Sequence, residues 1–284
     1  MDGDLGDFLR SRRARIRPEE VGLPSHGRRR VPGLRREEVA QLAGVSVDYY
    51  IRVEQGRGTS VSDAVLDAIA RVLRLDETEH AHLRAVARPR RQRARAAAPA
   101  PGVRPGVRPG VQVLLDGMDA APAFVMNHRM DVLAWNTLAD AVFHYARTSP
   151  AERNIPRHVF LDPAASGFYP EWRAVAAQCV AHLRVLAGRH ADDHALTSLV
   201  GELSLKSEDF RRLWADHPVA ECAYGVKRVR HPVAGLLTFP YETLAVTADQ
   251  EQTLVVYTPE PGSETAERLA LLGSWTSPVA AERR

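Results

Sequence analysis

Between Arg88 and Val111 the chain loses every feature from which a core is built. The stretch is made almost entirely of Arg, Ala, Pro, Gly and Val, includes the repeat GVRPGVRPGV, and carries no apolar face at either the helical or the strand period. Such a segment is an extended linker, semi-rigid where Pro is dense. A 284-residue chain interrupted there folds as two parts, each long enough for its own core. The expected organisation is a helical domain over 1–88, a linker over 89–110 and a second domain over 111–284. The cluster Arg88, Arg90, Arg91, Arg93 and Arg95 either touches phosphate or lines a solvated hinge.

Several classes of protein drop out early. No stretch approaches the ~18 to 20 apolar residues of a membrane span. The start, MDGDLGDFLRSRRARIRP, has no apolar segment before a small-residue cleavage site, so it does not read as a secretory signal and the cytoplasm is the expected compartment. Cys179 and Cys222 are too few for a disulfide framework and lack metal-ligand spacing, which argues against zinc and redox chemistry.

Charge is distributed unevenly. Residues 1–98 hold 20 Arg against 14 Asp plus Glu, a balance of +6, whereas the remainder holds 18 basic against 21 acidic residues, a balance of −3. Ten of those Arg fall between Arg10 and Arg36, in the runs RSRRARIR and GRRRVPGLRR. The asymmetry predicts that the first domain meets a polyanion. Because 36 Arg and two Lys also suit a GC-rich coding sequence, clustering rather than abundance carries that reading.

The first domain reads as five helices within Asp4–Arg88. The informative window is Arg36–Gln55, REEVAQLAGVSVDYYIRVEQ. Ala40 is small where two helices cross, Gly44 stands at a sharp turn, Val45 fills the corner, Ser46 is an N-cap, and Tyr50 with Val53 docks the next helix. This is the steric pattern of a helix-turn-helix. The arrangement resembles the lambda-repressor-like, or XRE-type, DNA-binding domain, and RVEQGR matches the close of that family's recognition helix. The resemblance implies that Ser46, Val47, Asp48, Tyr49 and Arg52 face base edges of a double-stranded operator. Arg52 suits guanine and Val47 a thymine methyl; Asp48 either accepts from cytosine or complements the helix dipole. Val47 and Asp48 stand where the family often has an amide. Arg28, Arg29 and Arg30, in the loop before the motif, are placed to contact backbone phosphates or enter a minor groove, and Arg35, Arg36 and Arg57 are further expected DNA contacts.

The second half opens with two short strands, AFVMN and MDVLAW, joined at His128 and Arg129 and followed by a helix over Thr137–Phe143. Helical stripes run through Trp172–Leu186, Leu196–Leu205 and Phe210–Trp214. Strands return at CAYGVKRV, LLTFPYETLAV and TLVVYTP, before a closing helix over Thr265–Trp275. Strands around a helical insert predict an α+β domain with an antiparallel sheet. With VSVDYYIRVEQGRG, the segments MDVLAWN, FYPEW, FRRLW, RHPVAG, YETLAV and VVYTPEPGS resemble, in order, the MmyB-like regulators. That resemblance implies a PAS-like second domain able to hold a fatty-acid-like molecule.

No fingerprint of an enzyme or of a cofactor site is present. GRHADDHAL brings His190, Asp192, Asp193 and His194 close in sequence, but a helix end followed by an N-cap keeps the two His off one helical face, which disfavours a metal. A ligand pocket needs only apolar walls and a few polar anchors. Trp135, Phe143, Phe168, Trp172, Trp214 and Phe239 are wall candidates, and Asn136, Tyr169, Arg173 and Arg211 are candidates for a polar head. Each aromatic taken singly reads more readily as plain core, and Asn136 also reads as an N-cap. The sequence thus predicts a non-enzymatic, DNA-binding regulator with a lipid-like effector. It is expected to act as a homodimer, since one recognition helix reads few base pairs. The alternative is a second domain that only binds a protein partner or dimerises.

Overall fold

The computed structural model describes residues 3–23, 33–56, 61–87, 106–220, 223–247, 249 and 251–276. The chain forms two compact units: one comprises Met1–Ala98, Arg184–Thr197 and Arg212–Glu221, the other Pro99–Leu183, Ser198–Arg211 and Cys222–Arg284.

The first unit contains α1 (Gly3–Arg15), a 3-10 turn (Pro18–Val21), α2 (Arg36–Ala43), α3 (Val47–Glu54), α4 (Asp63–Val72) and α5 (Glu77–Ala87). Phe8 and Leu9, one face of α1, pack with Leu34, Val39, Ala40, Tyr50, Val53, Leu66, Ile69 and Leu83, and Val185 and Val219 join this core. Gly44 ends α2 at φ 70°, a left-handed conformation that costs glycine nothing, and Val45 N–H donates back to the Ala40 carbonyl. The Ser46 hydroxyl then caps α3 by accepting from Tyr49 N–H at 3.2 Å. Gly6 permits the close approach of α1 to α3: a Cβ there would lie 2.1 Å from the Glu54 carbonyl oxygen.

His82 on α5 lies in this core, edge-on to Phe8 at 5.0 Å, with a Cβ at position 188 excluded by its ring. Neither ring nitrogen has a hydrogen-bond partner among the described residues. Burial first, and then the nearby Arg184 and Arg12 cations, pushes its pKa down from the ordinary 6.5 to about 3. Between those values the unfolded chain binds a proton that the folded chain refuses. The His82 contribution is therefore complete above about pH 6.5 and is lost progressively as the pH falls towards about 3, at up to about 1.4 kcal/mol per pH unit. Urea midpoints at pH 7, 6 and 5 should fall more steeply for the native chain than for His82→Leu; parallel slopes would contradict this.

The second unit is built on a five-stranded antiparallel sheet in the order β2-β1-β5-β4-β3. Its strands are β1 (Ala123–Asn127), β2 (Val132–Trp135), β3 (Tyr224–His231), β4 (Gly235–Ala245) and β5 (Gln252–Tyr257). The helices in and around this part of the chain are α6 (Pro109–Asp116), α7 (Thr137–Phe143), α8 (Ile155–Leu161), α9 (Ala165–Phe168), α10 (Trp172–Arg189), α11 (His194–Lys206), α12 (Glu208–Ala215) and α13 (Glu264–Thr276). The chain passes from the second unit into the first within α10, between Leu183 and Arg184.

Strand periodicity divides the sheet side chains into two sets. Ala123, Val125, Ala134, Leu254 and Val256 pack under Val111 and Leu115 of α6. On the opposite face stand Phe124, Phe239, Tyr241, Val255 and Tyr257, all buried. The expected opening hairpin, helix 137–143, returning strands and closing helix are all present, whereas α8 and α9 were not anticipated.

Candidate functional site

Two arrangements carry chemistry, one in each unit. On α3, Ser46, Val47, Asp48 and Arg52 are exposed and Tyr49 is half-buried, while Tyr50, Val53 and Glu54 of the same helix are buried. One face of α3 is thus held in the core and the other presented outward. The Arg52 guanidinium lies 5.9 Å from the Tyr49 ring centroid and has no carboxylate partner among the described residues.

The other described Arg of the basic run are engaged differently. Arg12, 2% exposed, meets Glu79 at 2.8 Å and donates to the His217 carbonyl at 2.7 Å. Arg13 donates to both Glu54 carboxylate oxygens at 3.3 Å and to the Leu34 carbonyl at 2.6 Å. Arg36 donates to the same Glu54 carboxylate, with Nη2 at 2.9 Å and Nε at 3.0 Å. Arg35 meets Glu37 at 3.4 Å, and its backbone N–H is capped by Glu38. Much of the clustered charge therefore braces the helices, which local composition could not distinguish from a phosphate-binding arm. Arg28, Arg29, Arg30 and Arg57 lie outside the described residues, as do the Arg88–Arg95 cluster and Cys222.

In the second unit two cavities abut. An inner one of 90 Å³ is walled by Phe124, Met126, Phe143, Tyr145, Val175, Tyr241, Val255 and Tyr257, with Gln178, Cys179, His182 and Lys227 as its more polar lining. An outer groove of 890 Å³ runs past Val132, Phe160 and Leu161 to Arg153, Arg157, His158, Glu202 and Lys206. Phe143, Tyr145, Ile155 and Tyr169 belong to both walls. Aromatic rings pack around the inner cavity, Phe143 lying 5.5 Å from both Tyr145, on which it stacks, and Tyr257, to which it is tilted. Burial raises the phenol pKa of Tyr145, Tyr169 and Tyr257, which keeps all three protonated. At the groove, Glu202 accepts from Lys206 and Arg157, both at 2.8 Å, which holds its carboxyl below the usual range. Burial lowers the His158 pKa against the opposing effect of Asp162, 3.1 Å away.

Residues 107–272, more than half of the chain, match the family model for the MmyB-like transcription regulator ligand binding domain. The chain belongs to the MmyB-like transcription regulators. A helix-turn-helix domain model matches residues 4–83. No curated protein matches the chain at a significant level. This MmyB-like chain is therefore a DNA-binding transcription regulator with a ligand-binding domain, and no described helix is long and apolar enough to cross a membrane.

Of the residues singled out in the sequence of this MmyB-like regulator, Phe143 and Tyr169 line both cavities. The others have different surroundings. The Asn136 side chain caps α7 and ties three further backbone groups. Trp135 sits under the Arg153 guanidinium at 4.8 Å, and Trp172 Nε1 donates to the Val159 carbonyl. Arg173 is exposed, and Arg211 donates to the Ser204 carbonyl. Trp214 belongs to the helical unit, where the Arg184 guanidinium stacks on it at 3.9 Å. Phe168 packs edge-on to Phe143, and Phe239 lies 5.2 Å from Tyr257. Asp193 caps α11 by accepting from Ala195 N–H, and α10 ends at Arg189, so His190 and His194 do not share one helix.

Sequence reading missed Phe124, Met126, Tyr145, Gln178, His182, Lys227 and Tyr257 of the inner cavity. A signal was present: Val175, Gln178, Cys179 and His182 follow the i, i+3, i+4, i+7 helical pattern, so two polar residues stand on an otherwise apolar stripe.

Proposed function

We propose that this regulator reads a two-fold operator as a homodimer in the cytoplasm, without catalytic activity, and that a small lipid-like molecule, fatty-acid-like in character, sets its affinity for that operator. The observation that carries the effector reading is an aromatic cavity that shares the Phe143, Tyr145, Ile155 and Tyr169 wall with a much larger groove. Ligand must bind one state of the protein more tightly than another to act as an effector. Helix α10 supplies the covalent route, since its Val175, Gln178, Cys179 and His182 line the cavity and its last turns, from Arg184 to Arg189, belong to the first unit. Solvent extraction of the natively purified full chain, followed by mass spectrometry, tests the reading. A stoichiometric lipid-like compound is expected; an extract with none, and no change in operator affinity when lipids are added, would overturn it.

On the DNA side, Ser46, Val47, Asp48, Tyr49 and Arg52 are proposed to face base edges, with Arg52 the principal base-reading cation and Arg28, Arg29, Arg30, Arg35 and Arg57 directed to phosphates, while Arg36 is committed to Glu54. Arg52→Ala should weaken binding to a selected operator by about 1 to 3 kcal/mol and relax base preference at one position. Equal loss on operator and random duplex, measured at one salt concentration, would instead make Arg52 a phosphate contact.

A second reading has its own support. Tyr224, Val226 and Leu244 on β3 and β4 are 75%, 59% and 54% exposed, an apolar strip suited to a protein partner or to a second copy. On that reading the second domain is a dimerisation or interaction module and needs no small molecule.

A further inference from the structure

Resting on the reading that cavity occupancy reaches the DNA-binding unit along α10, we infer that Gly188 and His82 are positioning residues for operator binding: the packing of the last turn of α10 on the His82 ring sets how firmly α1 holds the recognition helix α3.

The end of α10 is core of the first unit rather than surface. Val185 is buried in the cluster that holds Phe8, Tyr50 and Leu83. One turn of helix carries Arg184 beside it, buried, with its guanidinium stacked on Trp214 and donating to the Trp214 carbonyl. Further on, α1 takes two more carbonyls: Arg15 donates to that of Asp216 at 3.4 Å and Arg12 to that of His217 at 2.7 Å. Three guanidinium groups thus serve carbonyls at and just beyond the C-terminal end of α12, where a helix leaves acceptors unpaired and its dipole favours cations. All of these residues belong to the first unit, so the body that carries α3 is not complete at residue 88.

The fit is tightest at position 188. Gly188 stands in the last turn of α10, yet its backbone is not left-handed, so it does not serve as a helix-ending glycine. Close approach accounts for it: a Cβ there would lie 2.7 Å from Cε1 and 2.8 Å from Nδ1 of His82, and 3.3 Å from Val86. The ring has little room to yield. It is 3% exposed and edge-on to Phe8, and the Phe8 ring in turn carries the Arg12 guanidinium at 4.5 Å. On the same helix as Phe8, Gly6 admits the Glu54 carbonyl and Arg13 donates to the Glu54 carboxylate. A displacement at 188 therefore meets His82, Phe8, α1 and the end of α3 in turn, a contiguous packed route. At its other end the route starts close to the cavity, because His182 lines it and six residues of helix, about 9 Å along the axis, separate His182 from Gly188.

A double-mutant cycle on the full chain tests this: the native protein, Gly188→Ala, His82→Ala and the double variant, each titrated by fluorescence anisotropy with a duplex selected from a random pool. Gly188→Ala should weaken operator binding at least about five-fold in the native background and less than about two-fold in the His82→Ala background, where the truncated side chain leaves room for the new methyl. Equal losses in both backgrounds, or no loss in the native one, overturn the proposal. A measurement on the native chain covers variants that fail to fold. Because coupling is reciprocal, saturating operator should move the assigned His82 Cε1–H resonance of protein labelled with 13C-histidine, and a resonance left in place overturns the proposal. The effector reading is decided separately: a recovered compound that shifts operator affinity while the cycle is additive leaves that reading standing and sinks this one, whereas a non-additive cycle with nothing extracted does the reverse.

Discussion

Glu54→Gln is expected to lower the stability of the full chain by about 3 to 5 kcal/mol, the range for removing one partner of a buried ion pair. The Glu54 side chain is 0% exposed and closes α3, with both Arg13 and Arg36 donating to its carboxylate and Arg10 at 4.0 Å. Gln preserves shape and one carbonyl but removes the charge and turns an N–H₂ towards guanidinium groups that have no use for a donor. Arg13, whose side chain is 11% exposed, would keep only the Leu34 carbonyl. The same carboxylate holds the end of α3 against α1, where Gly6 already brings the backbones together, so operator affinity should fall with stability. Chemical denaturation measures the effect directly. A variant within about 1 kcal/mol of the native chain would show that the cluster is solvated and dispensable.

Asn136→Ala should have an effect of similar size in the other unit, about 3 kcal/mol or more. Its Oδ1 accepts from Ala139 N–H at 2.9 Å, capping α7, and from Ala123 N–H at 3.0 Å at the start of β1. Its Nδ2 donates to the Met118 and Ala121 carbonyls at 2.9 and 2.7 Å. Loss of the cap alone costs about 1 kcal/mol, and each buried backbone group left unmade costs about 1 to 3 kcal/mol, less than additively. Asn136→Asp separates the roles: it retains the cap but sets a carboxylate against two carbonyls, and is expected to be destabilised comparably. If Asn136 were instead a ligand anchor, thermal unfolding would be unchanged and only ligand affinity would fall.

Asn136 also illustrates which parts of this molecule sequence can reveal. Its place after an apolar strand and before Thr137 identified the N-cap, because capping is local. That it also gathers Met118, Ala121 and Ala123 depends on a chain crossing that no local pattern encodes. The helix-turn-helix was legible for the same reason as the cap: Ala40, Gly44, Ser46 and Tyr50 each answer a steric demand within one tight turn. The short helices α8 and α9 were not: the four residues of α9 are too few to display a helical period, and α8 was passed over although Asn154 caps it and Pro156 stands in its first turn. The Arg run was read by composition, and composition cannot tell a guanidinium aimed at phosphate from one closed on Glu54 or Glu79. Nor did anything local place Val185 and Val219, distant in sequence, in the core of the helical unit. The cavity walls come from β1, β3, β4, β5 and α10 at once, so only their alternation could have hinted at a shared face.

The central claim is that occupancy of the cavity changes how tightly α3 holds DNA. Its most direct test is the affinity of the full chain for a duplex selected from a random pool, measured by fluorescence anisotropy at fixed salt, with and without saturating compound recovered from the native protein. The account predicts selective binding whose dissociation constant shifts by at least about five-fold when the compound is present, the lower end of common allosteric coupling. Selective binding that the compound leaves unchanged would contradict it.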